Sequence, residues 1–326
     1  PMNQLGRVMA AGYAVAAAIL VLPATAIRAA DEPAYTVLTG TQATYSLASS
    51  LTSETPIQVL NVPADGRQMS LLKDYIARRT DRLEPTFAAA TAVISLTNAL
   101  PGDPLYRFAR DANIRVVDID AASPWSLSTA GVALTDSPVS NVTWSTDTDS
   151  VKIATAPYFW LSLSNAIRMG DIIAHDLIEL FPDSAATIRE NLDGLKWELL
   201  NLRSDYQRRL IETGDDTVFA LTGDFVYLTN DMGLYVDGYF IKQDIHWNET
   251  DLEMLTNHLT QRDIRVVIHK WLPSDAIQSA VSEAGATLVV LDSGDPGMVE
   301  DRQLVTDGLQ QILRKNLDAV YSALRQ

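Results

Sequence analysis

The sequence predicts an α/β protein made of two lobes, each with a parallel β-sheet flanked by helices, joined by one long rigid helix. Three observations predict this architecture. Short apolar runs alternate with helical patterns over residues 35–119, and the alternation resumes over residues 217–325. A single long helical pattern at 184–212 lies between the two regions. Such alternation is typical of parallel sheets covered by helices.

The first lobe, residues 31–182, begins with β-type runs bounded by turn residues. Its predicted strands are residues 35–40, 56–62, 91–96 and 114–119. Its first predicted helices are residues 41–51, 69–90 and 103–112. Each helix separates two strands, so the four strands are expected to run parallel in one sheet.

The end of the first lobe has a different composition. Residues 120–155 are rich in Ser, Thr, Asp, Pro and Gly and predict a long irregular loop, which in a compact domain is typically functional or mobile. An amphipathic helix follows at 164–181, with Ser164 as its expected N-cap.

The linking helix is predicted over residues 183–212. Its apolar side chains recur at spacings of three and four, which predicts one buried face. They are Ile188, Leu192, Leu195, Leu199, Leu202, Tyr206 and Leu210. A helix of this length is on the order of 40 Å long and can brace two lobes.

The second lobe, residues 213–326, repeats the alternation of strands and helices. Its predicted strands are residues 217–221, 234–240, 264–269 and 287–292. Its predicted helices are residues 224–233, 249–262, 274–284 and 300–325. Ligands of parallel α/β sheets bind beyond the carboxyl ends of the strands. Two such sheets facing each other would enclose a cleft suited to a small molecule or ion.

Residues 1–30 have the pattern of a cleavable export signal. Arg7 precedes an uncharged run at 8–27, the Ala-Thr-Ala at 24–26 fits a cleavage site, and a cut after Ala30 also fits. The run is about long enough to span a bilayer, so a retained anchor is the alternative. We predict a periplasmic protein, which is not a lipoprotein because the chain has no cysteine.

Charge and motif content exclude several classes of function. The formal net charge of −16 argues against nucleic-acid binding and against docking on anionic lipid. The absence of cysteine excludes disulfides, thiolate metal sites and cysteine nucleophiles. No nucleophile elbow, H-E-x-x-H, phosphate loop or dinucleotide fingerprint occurs, so we predict that the protein is not an enzyme.

Two segments resemble a known family. The segment APYFWLSLSNA (156–166) shares five positions with a family segment Asp-Pro-His-x-Trp-Leu-x-Pro-x-Asn-Ala, and LTGDFVYLTNDMG (221–233) keeps Phe225, Tyr227 and Gly233 in register. The strand end at 289–292 also matches. On this order and spacing the chain resembles the ZnuA/TroA-like solute-binding proteins of bacterial zinc and manganese ABC importers.

The resemblance implies a rigid two-lobed receptor that holds a transition metal with three His, or two His and a Glu, plus a carboxylate. The sequence departs from that ligand set. The position of the first His falls at Arg67 or Gln68, the second aligns with Tyr158, the third with Thr222, and only Asp292 remains. An arginine cannot ligate a cation, and hydroxyl groups replace imidazole poorly. The inherited metal site is therefore predicted to be degenerate.

A relocated metal site is one possibility. His269 ends a predicted strand, Asp292 ends the next, and His246 lies in a nearby loop, so the three could share a zinc or manganese ion. The alternative is that His269 binds no metal and is simply an exposed, hydrogen-bonded histidine at a strand end. Asp295, in the segment 292–297, is expected to belong to a turn rather than to a calcium loop.

Three functions therefore stay open. The first is an exported, monomeric solute-binding protein that brings zinc or manganese to an ABC permease in the inner membrane. In the second, Arg67, Gln68, Tyr158 and Thr222 donate hydrogen bonds to a metal chelate or a small anion. The third is an adaptor that keeps the fold for a protein partner and binds no solute.

Overall fold

The structure is a computed structural model and describes residues 35–145 and 154–326. These residues belong to one compact unit, Pro33–Gln326. The predicted export signal at 1–30 lies outside the described residues, as does part of the predicted loop at 120–155. None of the helices in the described part combines the length and apolar character that crossing a bilayer requires.

The N-terminal sheet has four parallel strands in the order β2-β1-β3-β4. The strands are β1 (Tyr35–Thr39), β2 (Ile57–Asn61), β3 (Ala92–Ser95) and β4 (Val117–Asp120). Val37 of β1 pairs with Val59 on one side and with Ala92 on the other. The helices that follow β1, β2 and β3 are α1 (Gln42–Leu51), α2 (Met69–Ala77), α3 (Thr80–Ala89) and α4 (Leu105–Ala112).

The helical pattern predicted at 69–90 forms two helices, not one. Arg79 leaves the helical conformation, and its N–H donates to the carbonyl of Ile76 in a tight turn that ends α2. The turn sets α3 against α4, so Phe87 shares a buried cluster with Leu105. The packing of α3 on α4 therefore explains why the helical pattern is interrupted at Arg79.

The C-terminal sheet repeats the same topology, with four parallel strands in the order β6-β5-β7-β8. The strands are β5 (Thr217–Ala220), β6 (Tyr235–Tyr239), β7 (Val266–His269) and β8 (Thr287–Val290). In both lobes the order reverses between the first and third strands, which is where α/β sheets place their ligand crevice.

The helices between and beside the lobes complete the fold. The helix before the linking helix is α5 (Leu163–Leu180), the linking helix is α6 (Ala185–Thr213), and those of the second lobe are α7 (Val226–Met232), α8 (Glu249–Gln261), α9 (Asp275–Glu283) and α10 (Gly308–Leu324). Ser162, not Ser164, caps α5, because the chain is still extended at Ser162 and its hydroxyl accepts the N–H of Asn165.

The linking helix α6 is 29 residues long, or about 43 Å. Six of its seven predicted apolar positions are buried, and the seventh, Leu192, packs partly buried on the same core. Gly214 ends the helix in the left-handed conformation that glycine adopts without steric cost. Both sheets contribute to the continuous core against which α6 packs, so α6 joins the lobes as predicted.

The closing helix begins at Gly308 and not at residue 300. Residues 299–304 instead form a hairpin of β9 (Val299–Glu300) and β10 (Gln303–Leu304). Asp301 and Arg302 both have positive φ values, 47° and 64°, which turn the chain between the two strands. The helical spacing of the side chains in this segment was therefore misleading.

The irregular segment after β4 connects the lobes. The N–H of Asn141 donates to the carbonyl of Tyr239, and its side chain accepts the N–H of Tyr239. Trp144 packs against Phe219 and Phe240 of the second lobe. This segment therefore covers the edge of the C-terminal sheet beside β6.

Candidate functional site

The candidate site lies beyond the carboxyl ends of both sheets, at their switch points. In the second lobe, Leu221 and Thr222 follow β5, and Lys270 and Trp271 follow β7. One hydrogen bond here joins the two lobes: the backbone N–H of Met69, at the start of α2, donates to the side-chain Oδ1 of Asp295 at 3.0 Å. Residues of the two lobes therefore meet at this end of the sheets.

The aromatic segment 158–160 forms the wall of the site. Trp160 and Phe159 are fully buried, and Trp160 Nε1 donates to the carbonyl of Ser293 at 2.9 Å. Tyr158 is half-buried, and burial, with the nearby charges of Asp224 and Asp295, raises the pKa of its phenol to about 12. Tyr158 thus stays protonated and is a hydrogen-bond donor rather than an anionic metal ligand.

Thr222 is buried, and its hydroxyl accepts the N–H of Asp224. Asp224 in turn pairs with Lys270, whose Nζ lies 3.1 Å from Oδ2. A lysine ammonium beside the third inherited ligand position already balances a carboxylate there. It also repels a second cation, which weakens any metal site that uses this position.

Arg67 and Gln68, the two candidates for the position of the family's first histidine, have different surroundings. Arg67 Nη1 lies 3.7 Å from Asp65, and its guanidinium lies over the ring of Tyr75. Gln68 is exposed and immediately precedes α2. The polar and aromatic contacts of Arg67 are with Asp65, Gly66 and Tyr75 and include neither Tyr158 nor Thr222.

His269 has an unusual environment at the end of β7. It is 3% exposed, its Nδ1 has no hydrogen-bond partner, and its Nε2 lies 3.9 Å from Asp244 Oδ1. Burial lowers the pKa of the imidazole, so it is neutral at physiological pH. A neutral imidazole with a free ring nitrogen is able to accept a metal or a donated hydrogen bond.

His269 and His246 line one cavity of about 380 Å³. Lys242, Lys270 and Trp271 line it as well. The structure therefore places these two predicted metal ligands in the same cavity as the ammonium groups of two lysines.

Asp292, the third predicted metal residue, makes other contacts. Its carboxylate accepts the N–H of Gly294 at 2.8 Å, and its backbone N–H and C=O bond the side chain of Asn316. The carboxylate of Asp244, not that of Asp292, lies beside His269. In residues 35–145 and 154–326 no group of three or more His, Asp or Glu side chains is arranged to hold a metal ion.

Sequence reasoning did not single out Asp224, Asp244 and Lys270 as site residues. Lys270 directly follows the strand that ends at His269, so its position at the carboxyl end of the sheet could have been predicted from the strand pattern. Asp244 lies in a short helical turn after β6, and no spacing in the sequence predicted that this turn folds back toward β7.

The comparisons with known proteins identify the family. The family model described as zinc-uptake complex component A, periplasmic (ZnuA), matches residues 86–323. The chain belongs to this family. No curated protein matches it. The resemblance stated from the two sequence segments is therefore confirmed at the level of the ZnuA family of solute-binding proteins.

Solved structures show the same fold as the ZnuA-family chain. A mutant of FpvC from Pseudomonas aeruginosa is similar with a TM-score of 0.69 and 19% identity, covering 89% of this chain and 99% of that one. FpvC in complex with Mn²⁺ has a TM-score of 0.63 and 18% identity, covering 89% and 98%. The Zn(II)-bound ZnuA-like domain of Streptococcus pneumoniae AdcA has a TM-score of 0.62 and 17% identity, covering 90% and 99%.

Asp295 should make the ZnuA-family protein less stable at neutral than at mildly acidic pH. Burial raises the pKa of Asp295 from 3.8 to about 6. A carboxyl group with a raised pKa in the folded state stabilises the fold below its unfolded pKa, and this contribution disappears as the pH rises through the folded pKa. Asp295→Asn keeps an oxygen acceptor for Met69 and removes the charge. We expect this variant to raise Tm at about pH 7.5 and to leave it nearly unchanged at about pH 4.5.

The control for this comparison is Asp74→Asn, which changes an exposed carboxylate of α2. Thermal unfolding of both variants and the parent at the two pH values checks the expectation. A lower Tm for Asp295→Asn than for the parent at the higher pH would contradict it. The comparison between variants is needed because His269, with its lowered pKa, shifts the stability of the parent in the opposite direction.

Proposed function

We propose that this ZnuA-family chain is an exported, monomeric solute-binding protein that delivers its cargo to an ABC permease from the periplasm. The proposal includes the export signal at residues 1–30 and the division into lobes 31–182 and 213–326 with the linker 183–212. Family membership and the paired sheet ends support it. The observation that carries it is the meeting of residues from both lobes around Tyr158 and Asp295.

We take a divalent transition metal, zinc or manganese, as the preferred cargo. His269 offers the donor with the strongest physical reason to bind one, because its buried Nδ1 has no partner in the described structure. His246 shares its cavity, and Asp292 follows the neighbouring strand. In this proposal a bound ion would satisfy the imidazole and offset the surrounding carboxylates.

The affinity for metal should be lower than that of a site with three histidines. The phenol of Tyr158 stays protonated, and Lys270 places a positive charge beside Asp224. The first feature leaves a neutral phenol where the family has an imidazole, and the second places a repelling cation beside the position of Thr222. We therefore propose that this metal site is degenerate.

A metal chelate or a small anion is the second candidate cargo. The cavity beside His269 supports it, since the ammonium groups of Lys242 and Lys270 line the cavity and Trp271 adds an aromatic wall. Each ammonium also pairs with one carboxylate, that of Asp251 or Asp224. A chelated ion carries its own ligands and needs fewer from the protein. Of the four donors predicted for this alternative, Thr222 lines this cavity, whereas Arg67 lines another one and Gln68 and Tyr158 line neither. The hydroxyl of Thr222 is therefore the predicted donor that this alternative keeps.

A thermal-shift screen of the purified chain with Zn²⁺, Mn²⁺ and small anions tests the proposal. A ligand that binds only the folded state raises Tm by mass action. We expect a rise with Zn²⁺ or Mn²⁺ that is lost in His269→Phe. Without ligand, His269→Phe should be as stable as the parent or about 1 kcal/mol more stable, because it removes a buried unpaired nitrogen.

The matched control is His175→Phe, which changes a histidine on α5 whose side chain is 42% exposed and pairs with Asp176. It should leave the metal shift intact. A shift that survives in the double variant His269→Phe with Asp292→Asn would contradict the assigned residues. No shift with any metal or anion would contradict the receptor and favour the adaptor.

A further inference from the structure

A second cavity, of about 510 Å³, lies at the outer edge of the N-terminal sheet beside the end of β2. Four arginines line it together with Tyr75. They are Arg67, Arg79, Arg82 and Arg302, and we refer to this space as the arginine cavity. The four come from four different segments: the turn before α2, the junction of α2 and α3, α3 itself and the β9–β10 turn. Their convergence is a property of the tertiary fold.

The arginine cavity has little negative charge to balance it. Asp65 lies 3.7 Å from Arg67, and both side chains are about two-fifths exposed. Over the described ranges, no carboxylate lies within ion-pair distance of Arg79, Arg82 or Arg302. The whole chain has 41 acidic and 25 basic residues, so this concentration of positive charge runs against its composition. Four guanidinium groups around one space favour occupancy by an anion.

Tyr75 holds two of the guanidinium groups in place. The Cζ of Arg79 lies 4.2 Å from the centre of the tyrosine ring and that of Arg67 lies 5.2 Å from it. Arg79 also donates to the carbonyl of Tyr75 at the end of α2. Stacking on an aromatic ring fixes a guanidinium and leaves its edge N–H groups available to a ligand.

Arg302 occupies a backbone position that glycine favours. Asp301 and Arg302 form the two-residue turn between β9 and β10 with φ values of 47° and 64°. Turns of this kind favour Asn and Gly, because other side chains are strained in the left-handed region. Arg302 adopts this conformation, and its side chain lines the cavity. Strain of this kind is typical of residues with a functional role.

We propose that the arginine cavity binds a small polyanion that carries at least two carboxylate or phosphate groups. The guanidinium fork matches the paired oxygens of both groups, and four forks fit more than one such group at a time. Of the residues predicted to hold the cargo, only Arg67 lines the arginine cavity, and Tyr158, His269 and Asp292 do not. The arginine cavity is therefore separate from the proposed metal site.

Isothermal titration of the full chain with citrate and with pyrophosphate tests the proposal, at constant ionic strength and without added metal. We expect saturable binding of at least one of them. Tighter binding of citrate would identify carboxylate as the preferred group, and tighter binding of pyrophosphate would identify phosphate. Arg79→Gln and Arg302→Gly should each weaken it about ten- to hundredfold, the loss expected for a charge-assisted contact. Arg302→Gly should also raise Tm without ligand, since glycine relieves the turn.

Arg78→Gln is the matched control, because Arg78 is the exposed neighbour of Arg79 and does not line the cavity. It should bind like the parent, as should His269→Phe, so a failed cargo site does not affect this result. Absence of saturable binding for both anions would overturn the proposal. Binding that Arg79→Gln and Arg302→Gly leave unchanged would overturn it equally.

Discussion

Replacing Trp160 by alanine should lower the free energy of unfolding by about 3–5 kcal/mol. The indole is fully buried in the continuous core and touches the rings of Phe159 and Tyr158. The substitution leaves a large cavity. It also removes the hydrogen bond that the indole N–H donates to the carbonyl of Ser293, in the segment after β8. Both losses fall at the place where the aromatic wall of the first lobe meets the second lobe.

Chemical denaturation of the parent, Trp160→Ala and Trp197→Ala measures the effect. Trp197 lies on α6 and is 72% exposed, so its replacement should change the free energy of unfolding by less than about 0.5 kcal/mol. Trp160→Phe keeps most of the buried ring and should cost less than the alanine variant. Equal effects of the two alanine substitutions would contradict the contribution that we assign to the burial of Trp160.

Replacing Gln42 by leucine should destabilise the protein by about 2–4 kcal/mol, the cost of leaving buried polar groups unpaired. Gln42 is fully buried on α1, where its Oε1 accepts the N–H of Met298 at 2.9 Å. Its Nε2 donates to the carbonyl of Val305 at 2.9 Å and to the hydroxyl of Ser46 at 2.8 Å. One amide therefore ties the β9–β10 segment to the first lobe.

The matched control is Gln310→Leu on α10. Gln310 is also buried, but its Oε1 has no partner in the described structure, so leucine removes an amide that is already poorly satisfied. We expect this variant to lose less than half as much stability as Gln42→Leu in the same denaturation experiment. A larger loss for Gln310→Leu would contradict the role given to Gln42.

Most of the fold could be predicted from the sequence because its periodicity follows burial directly. The apolar positions of α6 repeat at helical spacing and pack on the core shared by both sheets. The start of α10 was wrong by eight residues, because the positive φ of Asp301 and Arg302 leaves no mark in a hydrophobic pattern. The division of residues 69–90 into two helices depends on packing against α4, which local sequence does not contain.

The site was harder to predict than the fold. The end of β7 placed His269 at the carboxyl edge of its sheet, since strand ends follow from the strand pattern. The pairing of Lys270 with Asp224 and the turn of Arg67 toward Tyr75 depend on side-chain directions in loops. Those directions are set by distant segments of the chain, and residue spacing carries no information about them.

Anomalous diffraction from crystals of the protein soaked with zinc or manganese tests the central claim most directly. We expect one strong peak beyond the carboxyl ends of the two sheets, about 2.0–2.3 Å from a ring nitrogen of His269. The peak should be absent in His269→Phe. Peaks confined to surface histidines such as His175, with none at the sheet ends, would contradict the account.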